Sequence, residues 1–396
     1  MTDRSRDACI TGIGIVSSLG EGPEAHWDAL TRGAVNVDDA TYAPYSVHPI
    51  AKLDYDKQIP KKGDQRQMEA WQRIGTYAAG LALESASIKG NTEILGRTDM
   101  IVSAGGGERD LAADSAILTA MQNASNPDGV LNARLMSDIR PTLFLAQLSN
   151  LLAGNISIVH GVTGSSRTFM GEESAGVDAV RIACSRINAG QSEVALVGGS
   201  YNGERKDTIM LGEFGHLMLK GGYAPVWERA PRSGTCLGSL GAFLVIESRA
   251  HAERRSAKIH ARIANVFSER AKPERLADAS ALKALWSQLD GAIRKSETAY
   301  LSAATGVAPA TPAEHDFLAS FGDLPVRATE TYIGHSYEAQ FPMNLALAAI
   351  SLGHGTLFPP RDGTGVEKPM AGRLTQVVVA SVGLWRSAGM ALIEAP

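Results

Sequence analysis

Glycine clusters, histidines and cysteines could hold a ligand or carry a reaction in this chain only if their spacing suits it. Gly12, Gly14 and Gly20 follow an apolar run, as the glycines of a dinucleotide site do. A G-x-G-x-x-G fingerprint would put its third glycine at 17, where Ser17 stands, so the run reads as a strand ending in a turn of small residues. Gly105 to Gly107 are flexible enough to cradle phosphate, yet no lysine or serine follows in P-loop spacing. The nine histidines form no HExxH and no i,i+4 ligand pair. His26, His48, His160, His216, His251, His260, His315 and His354 are therefore read as structural or surface residues. Cys9, Cys184 and Cys236 are far apart and form no CxxC, which signals neither a disulfide framework nor a zinc site. No metal and no cofactor is called for.

The elements that would position a site follow from apolar patterning. Runs rich in β-branched residues alternate with longer helical patterns, which argues for an α/β protein. Strands are expected at Ala8 to Val16, Asp99 to Ala104, Glu193 to Val197, Gly241 to Glu247, Lys258 to Val266, Ala299 to Ala303, Gln376 to Ser381 and Met390 to Glu394. Helices are expected at Arg66 to Ser87, Ser174 to Ala189, Asp278 to Lys295 and Pro342 to Leu352, with Gly190 closing the second. The rhythm repeats after a basic stretch from Arg249 to Lys258. This suggests two duplicated halves, 1–250 and 251–396. Glu108 to Thr142 interrupts the first half, and an insertion of that size is usually functional or an interface.

With 396 residues and 44% hydrophobic composition, core-forming side chains are ample for both halves. A net charge of −4 offers no global attraction for nucleic acid or an anionic membrane. The opening MTDRSRDACITGIG has no apolar core long enough for a signal peptide, and no stretch of eighteen apolar residues occurs. A soluble cytoplasmic protein without a membrane span is the expectation.

From Asn150 to Gly199 the chain reads NLLAGNISIVHGVTGSSRTFMGEESAGVDAVRIACSRINAGQSEVALVGG. This resembles, without a gap, the active-site segment of the β-ketoacyl-acyl-carrier-protein synthases, the elongating condensing enzymes. ACITGIGIVSSLG resembles that family's opening strand, QRQMEAWQRIGTYAAGLALESA its first long helix, and TYIGHSYEAQFPMNLALAAISL its second histidine motif. The resemblance implies a thiolase fold, five-layered αβαβα, built from two duplicated halves.

The catalytic set of the family is not carried over. The nucleophilic cysteine belongs seventeen residues before the glycine that ends the following helix, and that position holds Glu173. The first histidine falls in YLSAATG, at Ala304. The lysine five residues before the second histidine is Glu330, and only the second histidine remains, as His335. The glycine-rich gate loop is replaced by Gly383, Leu384, Trp385, Arg386, Ser387 and Ala388, and GEGAG becomes GSLGA at 238–242. Condensation needs a thiolate to hold the acyl chain and imidazoles to stabilise the enolate oxygen. An acyl-glutamate would be a mixed anhydride, open to water. A carboxylate at a helix N-terminus is nonetheless stabilised by ~0.3–1 kcal/mol. Cys184, about three turns further along the helix, reads as a core residue, and Ser174 has no visible base.

Two roles fit the resemblance. The first is a non-condensing partner of a cysteine-bearing synthase, like the chain-length factors, which also lack the cysteine but usually hold glutamine there. The second synthase of the bacterial cluster making very-long-chain fatty acids for lipid A is a narrower likeness. The other role is enzymatic: a malonyl-carrier-protein decarboxylase, or a divergent 3-oxoacyl-carrier-protein synthase. Lys61, Lys62 and Arg66 lie where family members meet the acidic acyl carrier protein, though a solvated helix start explains them equally well. A homo- or heterodimer is implied, through the strand after the nucleophile helix, Glu193 to Val197.

Overall fold

The computed structural model describes residues 4–139 and 147–396. Its strands are β1 (Ala8–Ser17), β2 (Gly20–Glu21), β3 (Val47–His48), β4 (Asp99–Ser103), β5 (Ser166–Phe169), β6 (Val194–Tyr201), β7 (Leu237–Gly238), β8 (Leu240–Ser248), β9 (Ala261–Glu269), β10 (Thr298–Ser302), β11 (Val326–Ala328), β12 (Gln376–Val382) and β13 (Ala388–Glu394). Eleven of them form one sheet in the order β11-β10-β12-β13-β9-β1-β8-β6-β4-β5, with β2 returning on β1, while β3 and β7 pair separately.

The duplication is visible in that order. Counted within each run of five, β1, β4, β5, β6 and β8 are arranged third-second-fourth-fifth-first, and β9 to β13 repeat the arrangement. The directions repeat as well. β4 is parallel to β5 and β6, and β10 is parallel to β11 and β12, while the remaining neighbours are antiparallel. The two runs meet at their first strands, where Ala8 to Ile10 pair with Ile263 to Ala261.

Helices fill three layers around the two runs. The Glu173–Asn188 and Gln340–His354 helices form the middle layer, and their core joins Ala195, Val197 and Leu244 of one run to Leu301, Val377 and Ile393 of the other. The Ala70–Ser85 helix covers the outer face of the first run through Ile74, Tyr77, Ala78 and Ala82. Ser280–Leu289 and Ala310–Ala319 cover the second run through Leu285, Trp286 and Phe317. The fold is therefore the five-layered thiolase arrangement that the resemblance implies.

Three expectations need correction. The helix expected over Arg66 to Ser87 is two helices, Lys62–Gln67 and Ala70–Ser85. Glu69 and Gln72 form a capping box that starts a new helix, with Glu69 in extended conformation. The helix expected over Asp278 to Lys295 is regular only at Ser280–Leu289 and then passes into two short 3-10 turns. The strand after the nucleophile helix cannot serve as a dimer edge, because β6 is paired on both sides, to β8 and to β4. Its unbroken apolar run marks a strand buried on both faces rather than an unusual edge. The strand at that end of the sheet is β5. Of the insertion, residues 108–139 are described and hold the helices Leu111–Gln122 and Pro127–Asp138, while 140–142 lie outside the described residues, as do 1–3. Among the described residues no helix is long and apolar enough to cross a membrane.

Candidate functional site

Glu173 is the first residue of its helix and is 2% exposed. The chain reaches it through a sharp turn in which Gly171 has φ +131° and Glu172 has φ +60° with ψ −141°. For a residue with a Cβ that conformation costs about 1–3 kcal/mol. The turn aims the Glu173 carboxylate back into the middle layer, with the helix N-terminus favouring its charge. The neighbouring Ser174 hydroxyl donates to the Gly171 carbonyl at 2.6 Å, so it helps hold this turn and is not poised as a nucleophile.

His335 approaches from the other half. Its backbone N–H donates to the Cys236 carbonyl at 2.8 Å, and its carbonyl accepts from the Gly238 N–H at 2.8 Å. This docking requires glycine at 238, because a Cβ there would lie 1.8 Å from the Ile333 carbonyl oxygen. The ring then sits between two carboxylates. His335 Nε2 lies 3.0 Å from Glu173 Oε1, and His335 Nδ1 lies 2.7 Å from Glu330 Oε1. Where both carboxylates are ionised their oxygens only accept hydrogen bonds, and both ring nitrogens then donate as an imidazolium. Burial works against that charge, but the Glu330 carboxylate, followed by Glu173, outweighs it and raises the His335 pKa to about 10. Burial also pushes the Glu330 carboxyl upward, with the His335 charge opposing. Glu173 Oε2 and Glu330 Oε2 are buried without a partner among the described residues.

The structure thus unites Glu173, Glu330 and His335 and leaves the other expected positions apart. Ala304 is buried on the loop after β10, packed with residues such as Trp227 and Val382, and has no polar side chain to offer. Its N–H donates to Ser302 Oγ at 2.9 Å. Lys61 and Arg66 are exposed on the short surface helix, and Lys62 is paired with Asp56 at 2.5 Å. Cys184 is buried, and burial pushes its thiol up to about 12, so it does not stand in for the missing nucleophile. No group of carboxylates, histidines or cysteines among the described residues is arranged to hold a metal ion.

Three groups at this site had no sequence signal of their own. Glu338, three residues after His335, is buried, and burial followed by repulsion from Glu173 raises its carboxyl to about 7. Its Oε1 lies 2.9 Å from where a Cβ on Gly105 would be, which explains one member of the glycine triplet. Arg229 is fully buried and donates to the carbonyls of Ala224 at 2.8 Å and Thr305 at 2.9 Å. Its charge offsets part of the burial effect on Glu330. Tyr337 packs edge-on against the His335 ring, with centroids 4.5 Å apart. Only the folded chain brings Glu338 against Gly105.

The buried carboxylate at a helix start, the histidine docked from the opposite half and the repeated five-strand order define a thiolase-fold protein of the condensing-enzyme class. Residues 5–252 match the model of the β-ketoacyl synthase N-terminal domain, and the chain belongs to the β-ketoacyl synthase family. It is 26% identical over 384 residues to the ketoacyl synthase beta subunit of the tetracenomycin polyketide synthase of Streptomyces glaucescens, covering 92% of this chain and 89% of that one. It is 25% identical over 273 residues to 3-oxoacyl-[acyl-carrier-protein] synthase 2 of Vibrio cholerae, covering 65% of this chain and 62% of that one. Among solved structures, the ishigamide ketosynthase/chain length factor superposes with a TM-score of 0.80 at 18% identity, over 99% of this chain and 100% of that chain.

Proposed function

We propose that this chain is the non-condensing member of a ketosynthase pair in fatty acid or polyketide elongation, and that it shapes the length of the acyl chain its partner builds. The carrying observation is the commitment of both His335 nitrogens to carboxylates, at 2.7 and 3.0 Å, in a site that holds a glutamate where the nucleophile belongs. A thioester cannot be held there, and no imidazole N–H is left for an enolate oxygen. The same commitment argues against malonyl decarboxylation, because removing a donor of that kind costs roughly a hundredfold or more in rate.

The surfaces that remain suit a partner. Strand β5 ends the sheet, and Ile158, on the Leu151–His160 helix, and Met170 just after β5 are 73% and 64% exposed. In the insertion, Leu118, Leu135 and Met136 are exposed and Met121 and Leu131 partly buried. Such flexible and branched side chains suit a lipid-lined channel completed by a second subunit. Lys61, Lys62 and Arg66 offer a local basic patch for an acidic carrier protein.

The test is co-expression with a cysteine-bearing ketoacyl synthase, with products analysed by mass spectrometry. The pair should condense, this chain alone should take up no acyl group from acyl- or malonyl-carrier protein, and Leu131→Trp or Leu135→Trp should shorten the products. A stoichiometric acyl adduct on the isolated chain would overturn the proposal.

A further inference from the structure

The loop that replaces the family's glycine-rich gate is fastened to the site by three contacts of different kinds. The Leu384 N–H donates to Glu173 Oε1 at 3.3 Å. The Arg386 guanidinium lies 3.6 Å from Glu172 Oε2. The Trp385 ring is parallel to the Tyr337 ring within 14°, centroids 6.5 Å apart, and Tyr337 in turn covers His335. The loop itself is tight: the Gly383 N–H donates to the Ser387 carbonyl at 3.0 Å. A Cβ on Gly383 would come within 2.1 Å of the Arg386 carbonyl oxygen.

Glu172 and Glu173 therefore do two things at once. Glu173 closes the hydrogen bonding of His335 on one side and takes a loop N–H with the same oxygen. Glu172, held at positive φ by the turn, presents its carboxylate to the loop's only cation, Arg386. Trp385 stays 45% exposed, so one face meets solvent while the other is turned to Tyr337. Trp385 and Tyr337 together lie on the loop side of the buried His335 ring.

We propose that Trp385 and Tyr337, fastened through Glu172 and Glu173, exclude a carrier-borne thioester arm from the His335 site. This rests on the partner-subunit reading and sharpens it. The chain is empty of acyl groups because its site is closed as well as lacking a nucleophile, and the growing chain enters only the partner's site.

A thiol at position 173 reports on access. Glu173→Cys gives up one of the three fastenings and keeps Trp385 on Tyr337 and Arg386 on Glu172. The purified variant, with and without Trp385→Ala, is treated with iodoacetamide or with bromoacetyl-pantetheine, and labelling at position 173 is followed by mass spectrometry. Iodoacetamide should label both proteins, and the pantetheine reagent should label the Trp385→Ala form faster by about tenfold or more, as expected when a stacked aromatic contact is removed. Equal labelling of both by the pantetheine reagent would overturn the proposal. Failure of the pantetheine reagent with the Trp385→Ala form, or of iodoacetamide with both proteins, would place the barrier elsewhere and overturn it too. In the unaltered chain, hydrogen exchange at the Leu384 amide should be slow and should speed up in Glu173→Ala. Exchange at the rate of a free turn would refute the fastening. Both measurements use the isolated chain, so their outcome is separate from whether a cysteine-bearing synthase associates.

Discussion

Glu247 and Glu173 are both buried glutamates that meet a histidine, and their surroundings treat them differently. Glu247, on β8, faces donors alone: the Thr11 hydroxyl from β1, His251 Nδ1 at 2.5 Å, and Arg255 through Nε at 2.9 Å and through Nη2. Burial pushes its carboxyl up, but Arg255, His251 and Thr11 outweigh that and hold it at about 2. At the other cluster one imidazolium serves two carboxylates, each keeps an oxygen without a partner among the described residues, and Glu330 stays shifted upward. Complete satisfaction of a buried charge marks framework. Incomplete satisfaction marks a place where the fold holds charge for another reason.

Removing a member of each cluster should break this contrast apart. Glu247→Ala leaves Arg255 and His251 without their acceptor and should cost about 3–5 kcal/mol, read from the urea midpoint. If it cost no more than an exposed substitution, the framework assignment would be wrong.

The two clusters should also fail at opposite ends of the pH scale. His335 in the folded chain keeps its proton up to about pH 10, against 6.5 for a free histidine. The folded state binds the extra proton between those values, so the stability His335 contributes is full below 6.5 and is lost as pH rises towards 10, by up to ~1.4 kcal/mol per pH unit. Glu338 acts in the same direction between 4.5 and about 7. Glu247 runs the other way: its contribution is full above 4.5 and is lost as pH falls to about 2. Urea unfolding at pH 7 and pH 9 should show a falling stability that His335→Asn largely abolishes.

The smallest effect should come from Glu173→Gln, which keeps the shape and one acceptor while removing a charge that is only partly satisfied. A loss of about 1 kcal/mol is expected. A loss as large as that of Glu247→Ala would mean that the two clusters are equally optimised.

The sequence carried the middle layer and most of the sheet openly. Ala8–Ser17 and Leu240–Ser248 are long, largely apolar runs, and the alanine-rich Glu173–Asn188 helix ends at Gly190. Strand β5 was illegible because Ser-Arg-Thr-Phe is short, polar and at the edge of the sheet, with no buried face to impose alternation. The run at β6 was legible as a strand but misplaced, since its unbroken apolarity means neighbours on both sides. Glu173, Glu330 and His335 came from resemblance alone, because no periodicity brings residues 173 and 335 together. Arg229, Tyr337 and Glu338 were invisible because their roles depend on what the fold puts beside them.

Apart from the two-residue return at β2, strand β1 waits for partners made far later in the chain. Ala8 pairs with Ser248 on one side and Ile263 on the other. At ~5–20 residues per second a ribosome takes on the order of ten seconds to a minute to deliver them. Throughout that interval a ten-residue apolar ribbon, buried at every position in the finished protein, has only the short β2 return to pair with. Synthesis, more than the folded state, is therefore when this chain most needs protection, and a chaperone that binds extended apolar segments would find its target in β1.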